Sequence, residues 1–167
     1  MEIDASLIGG IFLEIRKALD RDIPGVLKIL GQIAVLHQVG RPDVFGVYDS
    51  KYDKKQLGEI ISCSDTPVFV AVEEECVLGY VFCIVNRIQA HPHLRDRVTV
   101  FIDDLCVDEA ERGRGIGEAL FLFAKVYAKE LGAAALELNV WAFNKGAVRF
   151  YEKLGMTVQK QQMELSL

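Results

Sequence analysis

A glycine-rich turn that contains two arginines is the stretch of this sequence whose residue types point most directly to chemistry. It reads RGRGIG at residues 112–117, between an apolar, β-branched run at residues 98–107 and a run with helical spacing from Ile116. A strand, a turn and a helix in this order leave the first N–H groups of the helix unpaired, with the positive end of the helix dipole behind them. The turn therefore predicts an anion site, most naturally for a phosphate.

The two common nucleotide-binding motifs do not account for this turn. The dinucleotide fingerprint, counted from Gly113, requires a sixth-position glycine where Glu118 stands. A P-loop requires Lys-Ser or Lys-Thr after its last glycine, and no such pair follows here. A phosphate site of another type remains, and the alternative of a helix start with surface arginines and no ligand stays open.

The spacing Arg112-x-x-Gly115-x-Gly117 resembles the Gln/Arg-x-x-Gly-x-Gly/Ala signature of the GNAT superfamily of acyl-CoA-dependent N-acyltransferases. The resemblance implies acetyl-CoA as co-substrate, with its pyrophosphate held by the turn and its pantetheine arm bound by backbone amides of the preceding strand. The cofactor-binding residues implied in this way are Leu105, Val107, Arg112, Gly113, Arg114, Gly115, Ile116 and Gly117.

A second stretch, NKGAVRFYEKLG at residues 144–155, resembles the later GNAT signature N-x-x-A-x-x-F-Y-x-x-x-G. The resemblance implies that Asn144 contacts the cofactor and that Tyr151 approaches the thioester sulfur. A phenol with a pKa of about 10 stays protonated at neutral pH, so Tyr151 suits a general acid for the departing thiolate. Two plain alternatives stay open: Tyr151 as a core aromatic residue and Asn144 as an ordinary helix N-cap.

Two adjacent carboxylates interrupt the apolar strand before the turn. Stripping the proton from an alkylammonium with a pKa near 10 costs about 4 kcal/mol at pH 7, and a nearby carboxylate helps to accept it. Asp103 and Asp104 point to opposite faces of a strand unless a bulge intervenes. The run IDDL at residues 102–105 resembles the Leu-Glu-Asp-Phe run of the spermidine/spermine acetyltransferases. That resemblance implies Asp103 as the base, directly or through water, with Asp104 near the substrate; capping of the bulge or of nearby loops is the alternative.

The elements that must position these residues follow from the chain's periodicity. Their order is strand, two helices, three strands, helix, strand, helix and strand. It predicts an α/β protein with a mixed, mostly antiparallel sheet of six to seven strands and helices on both faces, which matches the GNAT fold. Residues 12–167 are expected to form a single domain, and residues 1–11 an N-terminal extension without assigned structure. The expected strands cover residues 12–18, 68–73, 76–87, 98–107, 134–141 and 157–167.

Composition restricts the classes of protein further. A net charge of −5 with mixed signs argues against nucleic-acid binding. No apolar run approaches the roughly 20 residues that span a bilayer, and the start lacks a basic segment before an apolar block. Four cysteines form no C-x-x-C pair, which is typical of reduced thiols in a cytoplasmic protein. His91 and His93 have no third ligand nearby in sequence, so no metal is expected.

The predicted function is acetyl transfer from acetyl-CoA to a primary amine by direct attack. Asp43, Asp49 and Asp53 lie between the first two helices and favour a small cationic amine as acceptor. One alternative is a protein N-terminal or lysine acetyltransferase, whose acceptor is a peptide amine. Another is a CoA-binding sensor without turnover. The expected partners are the acceptor alone, without nucleic acid or membrane, and a homodimer is the family's expectation for assembly.

Overall fold

The computed structural model describes residues 3–8, 11–47 and 49–166. Its strands are β1 (Ile3–Ile8), β2 (Ile11–Lys17), β3 (Val68–Glu73), β4 (Cys76–Ile88), β5 (Arg97–Val107) and β6 (Ala135–Leu138). Its helices are α1 (Ile23–Gly40), α2 (Lys54–Ser62), α3 (Ile116–Glu130) and α4 (Lys145–Lys153). The strands form one sheet in the order β1-β2-β3-β4-β5-β6. Neighbours from β1 to β5 are antiparallel, and β6 runs parallel to β5.

Two apolar layers hold the helices against the sheet, because successive side chains of a strand point to opposite faces. On one face α1 and α2 pack against Tyr80 and Phe82 of β4, with Val26 and Leu57 fully buried. On the other face α3 packs against Val81 and the neighbouring strands. The predicted mixed sheet with helices on both faces is therefore confirmed.

Local capping chemistry decides where the helices near the site begin. The side chain of Asp53 accepts a hydrogen bond from the Gln56 backbone N–H, and the Gln56 side chain accepts one from the Asp53 N–H, which is a capping box for α2. Gly115 begins α3 with φ at +80°, a left-handed conformation that glycine adopts without strain. The carboxamide oxygen of Asn144 accepts from the Ala147 N–H at 3.1 Å and caps α4.

The termini differ from the sequence expectation. Ile3–Ile8 forms β1 and pairs with β2, although residues 1–11 were expected to lie outside the domain. The Gly9-Gly10 pair between two apolar runs is a hairpin signal that the sequence reading missed. At the other end, residues 157–166 contain no strand and are exposed. Five of the strands expected from sequence are formed, and β1 is the sixth strand of the sheet.

One helical stretch in the described part of the chain, Asp20–Gly40, is long and apolar enough to cross a membrane by length and composition, with a mean hydropathy of 1.2. No uninterrupted apolar run of this length is expected from the sequence. In the fold, the buried side chains of this stretch, Val26, Ile29 and Leu30 among them, pack in the apolar layer over the sheet. Core packing therefore accounts for the apolar side chains on that face of the helix.

Two irregularities of β5 create the space for a site. The register between β4 and β5 shifts between Phe82 and Cys83, so that Phe82 pairs with Asp104 and Cys83 with Ile102. Asp103 is therefore the extra residue of a β-bulge. On the other side of β5, pairing with β6 ends at Ile102 and Leu138, and the edge of residues 103–107 on that side has no partner in the described ladder.

Candidate active site

A cleft of about 550 Å³ opens where β5 and β6 stop pairing. Its walls come from the second half of α1, the connection to α2, the bulged part of β5, the segment after β6 and one face of α4. The lining side chains that could take part in chemistry or recognition are His37, Phe45, Lys51, Asp103, Asp104, Trp141, Asn144 and Tyr151. The cleft thus brings together the carboxylates, the asparagine and the tyrosine that the sequence had singled out.

The β-bulge lets both aspartates line the same cleft. Asp103 is the residue of β5 without a counterpart in β4, and both Asp103 and Asp104 are among the lining residues. Asp103 Oδ2 accepts a hydrogen bond from Lys51 Nζ at 2.6 Å. Asp104 Oδ2 accepts one from the Tyr80 hydroxyl at 3.2 Å. The two carboxylates therefore have different partners, a cation for Asp103 and a neutral phenol for Asp104.

The surroundings of the cleft residues shift the pKa values of Asp104 and Tyr151. Burial raises the pKa of Asp104 to about 6, against the opposing effects of the Lys51 charge and the Tyr80 hydrogen bond. Burial, with the Asp104 carboxylate nearby, also raises the pKa of Tyr151, so that its phenol stays protonated. At neutral pH the cleft accordingly holds a carboxylate that can accept a proton and a phenol that can donate one.

Tyr151 reaches the cleft because of its place on α4. Ala147 and Tyr151 are four residues apart, so they share one face of the helix, and both line the cleft. The Tyr151 ring lies 6.1 Å from the Phe121 ring and 5.0 Å from the Phe150 ring. The Tyr151 ring therefore packs among aromatic side chains, as a core residue would, and the same residue also lines the cleft. Asn144 is likewise both the N-cap of α4 and a cleft residue.

An aromatic wall on the far side of the cleft includes His37 and Phe45, which carry no functional signal in the sequence. The His37 and Phe45 rings stack with centroids 4.9 Å apart, and Phe45 meets Trp141 edge-on at 5.4 Å. Burial, followed by the charge of Lys51, lowers the pKa of His37, which keeps the imidazole neutral at pH 7. In the sequence, His37 fits the apolar face of α1, and Lys51 lies in a connection without a motif. Neither could therefore be recognised as a site residue from the sequence.

The glycine-rich turn lies at the end of β5, beyond the residues that line the cleft. Gly113 and Gly115 both have positive φ, +82° and +80°, which turns the chain sharply into α3. The guanidinium of Arg114 is paired with Glu111 and, at 3.2 Å, with Glu73. Arg112 donates from Nε to the Val107 carbonyl at 3.3 Å. Arg114 therefore stabilises the turn through its two glutamate partners, whereas Arg112 lies between the end of β5 and the turn.

Other residues considered in the sequence lie outside the cleft. Asp43 pairs with Arg41 at 2.7 Å, and Asp53 caps α2, so these two acids, which favoured a cationic acceptor in the sequence, are engaged in local contacts. Neither they nor Asp49 line the cleft. His91 and His93 are exposed on the connection between β4 and β5.

Comparison with known proteins agrees with this geometry. A sequence model of the acetyltransferase (GNAT) family matches residues 34–156. The solved structure of a tetramutant of the BH1408 protein from Bacillus halodurans has a TM-score of 0.88 at 36% identity, covering 92% of this chain and 99% of that one. Thialysine N-epsilon-acetyltransferase of Bos taurus is 25% identical over 154 residues, 86% of this chain and 84% of that protein.

An uncharacterized N-acetyltransferase of Methanocaldococcus jannaschii, MJ1207, is 42% identical over 78 residues, which is 47% of this chain. The chain matches about a third, 33%, of the length of that relative. The family match itself covers most of this chain, and the fold agrees over nearly all of it. This chain therefore belongs to the acetyltransferase (GNAT) family, whose members are enzymes of the acyltransferase class.

Proposed function

We propose that this protein transfers an acetyl group from acetyl-CoA to the primary amine of a small molecule. The observation that carries the proposal is the placement of Asp104 and Tyr151 in one cleft at the point where β5 and β6 separate. Asp104 supplies a carboxylate for the amine proton, and Tyr151 supplies a proton for the thiolate. Family membership supports acetyl-CoA as the donor.

The cofactor contacts in this proposal follow β5 toward the turn. The unpaired edge of β5 offers the backbone amides of Leu105 and Val107 to the pantetheine arm. The N–H groups at the start of α3, together with Arg112, favour the pyrophosphate at residues 112–117. A CoA bound in this way places its thioester at the cleft, beside Tyr151.

The proposed reaction is a direct displacement. The acceptor ammonium gives a proton to Asp104, and its nitrogen bonds to the acetyl carbonyl carbon. The carbon–sulfur bond then breaks, the CoA thiolate takes the proton of the Tyr151 hydroxyl, and the second proton of the nitrogen returns to the Tyr151 phenolate. This assignment moves the base from Asp103, implied by the resemblance, to Asp104. Asp103 is already engaged by the Lys51 cation, whereas Asp104 has a pKa of about 6, close to the working pH of a general base.

The lining of the cleft supports a small amine as acceptor. Two carboxylates attract an ammonium group, and Phe45 and Trp141 in the lining can contact the apolar part of a small molecule. The bovine relative is named for thialysine, a small amine. A peptide amine remains the second candidate acceptor class, and the experiment below includes it.

Thiol release from acetyl-CoA in the presence of an amine panel tests the proposal. The panel contains polyamines, amino sugars, basic amino acids and peptides with a free N-terminus or a lysine. Amine-dependent release with a small-molecule member, and formation of the matching amide by mass spectrometry, is the expected result. Release with peptides alone would move the function to protein acetylation. Binding of CoA without amine-dependent release would indicate a sensor.

A further inference from the structure

We propose that Lys51 is itself an acceptor and that the protein acetylates it in cis. The inference rests on the proposed function, since it uses the same cleft and the same donor. Its starting point is that the cleft already contains a primary amine. Lys51 lines the cleft together with Asp103, Asp104 and Tyr151, and nothing in the acceptor chemistry distinguishes its ammonium from that of a substrate.

The Lys51 amine is held where an acceptor ammonium is expected to bind. Its Nζ lies 2.6 Å from Asp103 Oδ2 and 5.1 Å from the centre of the Tyr52 ring. Asp104, the residue after Asp103 on β5, lines the same cleft as Lys51. An ammonium bound by a carboxylate and lying beside an aromatic ring is the arrangement expected of a bound acceptor amine.

The backbone on both sides keeps Lys51 at this position. The Tyr52 ring stacks on Phe82 at 6.0 Å, and the next residue, Asp53, caps α2. The amine therefore extends from an anchored segment, and its side chain is 46% exposed, which leaves it room to move within the cleft. An amine held in the site needs no encounter from solution, and this proximity favours its reaction when it reaches the thioester in a productive geometry.

The step balances without any further reactant. The Lys51 ammonium passes one proton to the Asp103 carboxylate, and its nitrogen forms a bond to the acetyl carbonyl carbon of acetyl-CoA. The carbon–sulfur bond breaks, the thiolate takes the proton of the Tyr151 hydroxyl, and the second proton of the nitrogen passes to the Tyr151 phenolate. The products are Nε-acetyl-Lys51 and CoA. Asp103 then releases its proton to solvent. Because the amide is uncharged, the carboxylate no longer has the Lys51 cation as its partner and becomes available to an ammonium from solution.

Two neighbouring lysines provide an internal control. Lys54 and Lys55 lie in the first turn of α2, both exposed, and Lys55 Nζ is 3.9 Å from Glu59. Neither lines the cleft. Non-enzymatic acetylation favours exposed amines, so it would modify these two lysines at least as fast as Lys51.

The test incubates the full chain with acetyl-CoA and no added amine, and follows each lysine by tandem mass spectrometry. The expected result is one acetyl group on Lys51, formed with a rate constant that does not change when the protein is diluted. Lys54→Arg should leave this rate unchanged. Tyr151→Phe should slow it at least about tenfold, as expected for loss of a general acid, with thermal unfolding used to confirm that the variant is folded.

Three outcomes would overturn the inference. Equal acetylation of Lys51, Lys54 and Lys55 that persists in Tyr151→Phe would show ordinary chemical modification. A rate constant proportional to protein concentration would show transfer between molecules. An unmodified Lys51 in a preparation that acetylates amines of the panel would refute self-acetylation while leaving the proposed function intact; if neither Lys51 nor any panel amine is acetylated, the proposed function fails with it.

Discussion

The Tyr80 hydroxyl donates a hydrogen bond of 3.2 Å to Asp104 Oδ2 across β4 and β5. In the register of these strands Phe82 is paired with Asp104 and Tyr80 with Cys106, so Tyr80 is the diagonal neighbour of Asp104 on the same face of the sheet. Tyr80 is fully buried, which fixes the position of its hydroxyl. The carboxylate proposed as base is therefore held by a rigid phenol rather than by a mobile charge.

The acid side of the pH–rate profile should report the pKa of Asp104. Protonated Asp104 cannot accept a proton, so kcat/KM should fall below a pH of about 6, by about tenfold for each further pH unit. Tyr80→Phe removes a hydrogen bond that favours the charged carboxylate, so the pKa of Asp104 should rise and the acid limb should move to higher pH. Profiles of the two proteins with saturating acetyl-CoA test this. An acid limb at the same pH in both would contradict it.

Substitutions of Asp103 and Asp104 should have different effects on kcat and KM. Asp104→Asn removes the proposed base and should lower kcat about 100-fold. Asp103→Asn removes the partner of Lys51 and a site for the acceptor cation, so it should act mainly by raising KM for the amine. Steady-state kinetics on both variants make the comparison, with matched thermal unfolding as the control for folding. A larger loss of kcat in Asp103→Asn would return the role of base to that residue.

Tyr151→Phe should lower kcat about 100-fold while CoA affinity stays nearly unchanged. The substitution removes only the hydroxyl, and the ring contacts with Phe121 and Phe150 remain. Turnover by thiol release and CoA affinity by calorimetry measure the two effects separately. Parallel losses in both would mean that the residue serves binding or packing and not proton transfer.

Two glycines of the turn, Gly115 and Gly117, allow a matched pair of alanine substitutions. An alanine at Gly115 must adopt φ near +80°, which costs about 1–2 kcal/mol for an L-residue. A Cβ added at Gly117 meets Val107 at 3.5 Å and Phe150 at 3.6 Å, which are ordinary contacts. Gly115→Ala should therefore lower the free energy of unfolding by about this amount and weaken CoA binding, whereas Gly117→Ala should unfold like the parent protein. Denaturant titration and CoA calorimetry provide the readouts, and equal stability of the two variants would argue against the left-handed turn.

The two arginines of the turn should differ in the same assays. Arg112→Ala removes a cation from the proposed pyrophosphate site and should weaken CoA binding about tenfold or more, with less dependence on salt. Arg114→Ala leaves Glu111 and Glu73 facing each other without their shared cation, so its main effect should be on the stability of the turn. Calorimetry of CoA at two ionic strengths distinguishes them. Unchanged CoA affinity in Arg112→Ala would count against the placement of the pyrophosphate.

Features that depend on neighbouring residues in the chain could be predicted from the sequence. The start of α3 at Ile116, the capped start of α4 after Asn144 and the limits of β3 all follow from turn chemistry, capping and periodicity. The family resemblance rested on two such local motifs, and the comparisons confirm it. The hairpin of β1 was missed although its glycine pair is also a local signal.

The composition of the cleft could not be predicted in this way. Lys51 and Asp103 are 52 residues apart, and their pairing depends on how the α1–α2 connection crosses the sheet. The bulge at Asp103 arises from the register between two strands, and this register decides which carboxylate meets Tyr80 and which meets Lys51. The aromatic wall likewise joins His37 of α1 to Trp141 beyond β6 through Phe45.

The sequence by itself thus determined the family, the order of most elements and the phosphate-type turn, because backbone preferences act within a few residues. Only the tertiary structure decided that Asp103 meets the Lys51 cation, that Asp104 meets the buried Tyr80 hydroxyl, and that Tyr151 lines the same cleft. The physical reason is that burial, pairing and pKa are properties of the surroundings, and those surroundings are assembled from segments distant in the chain.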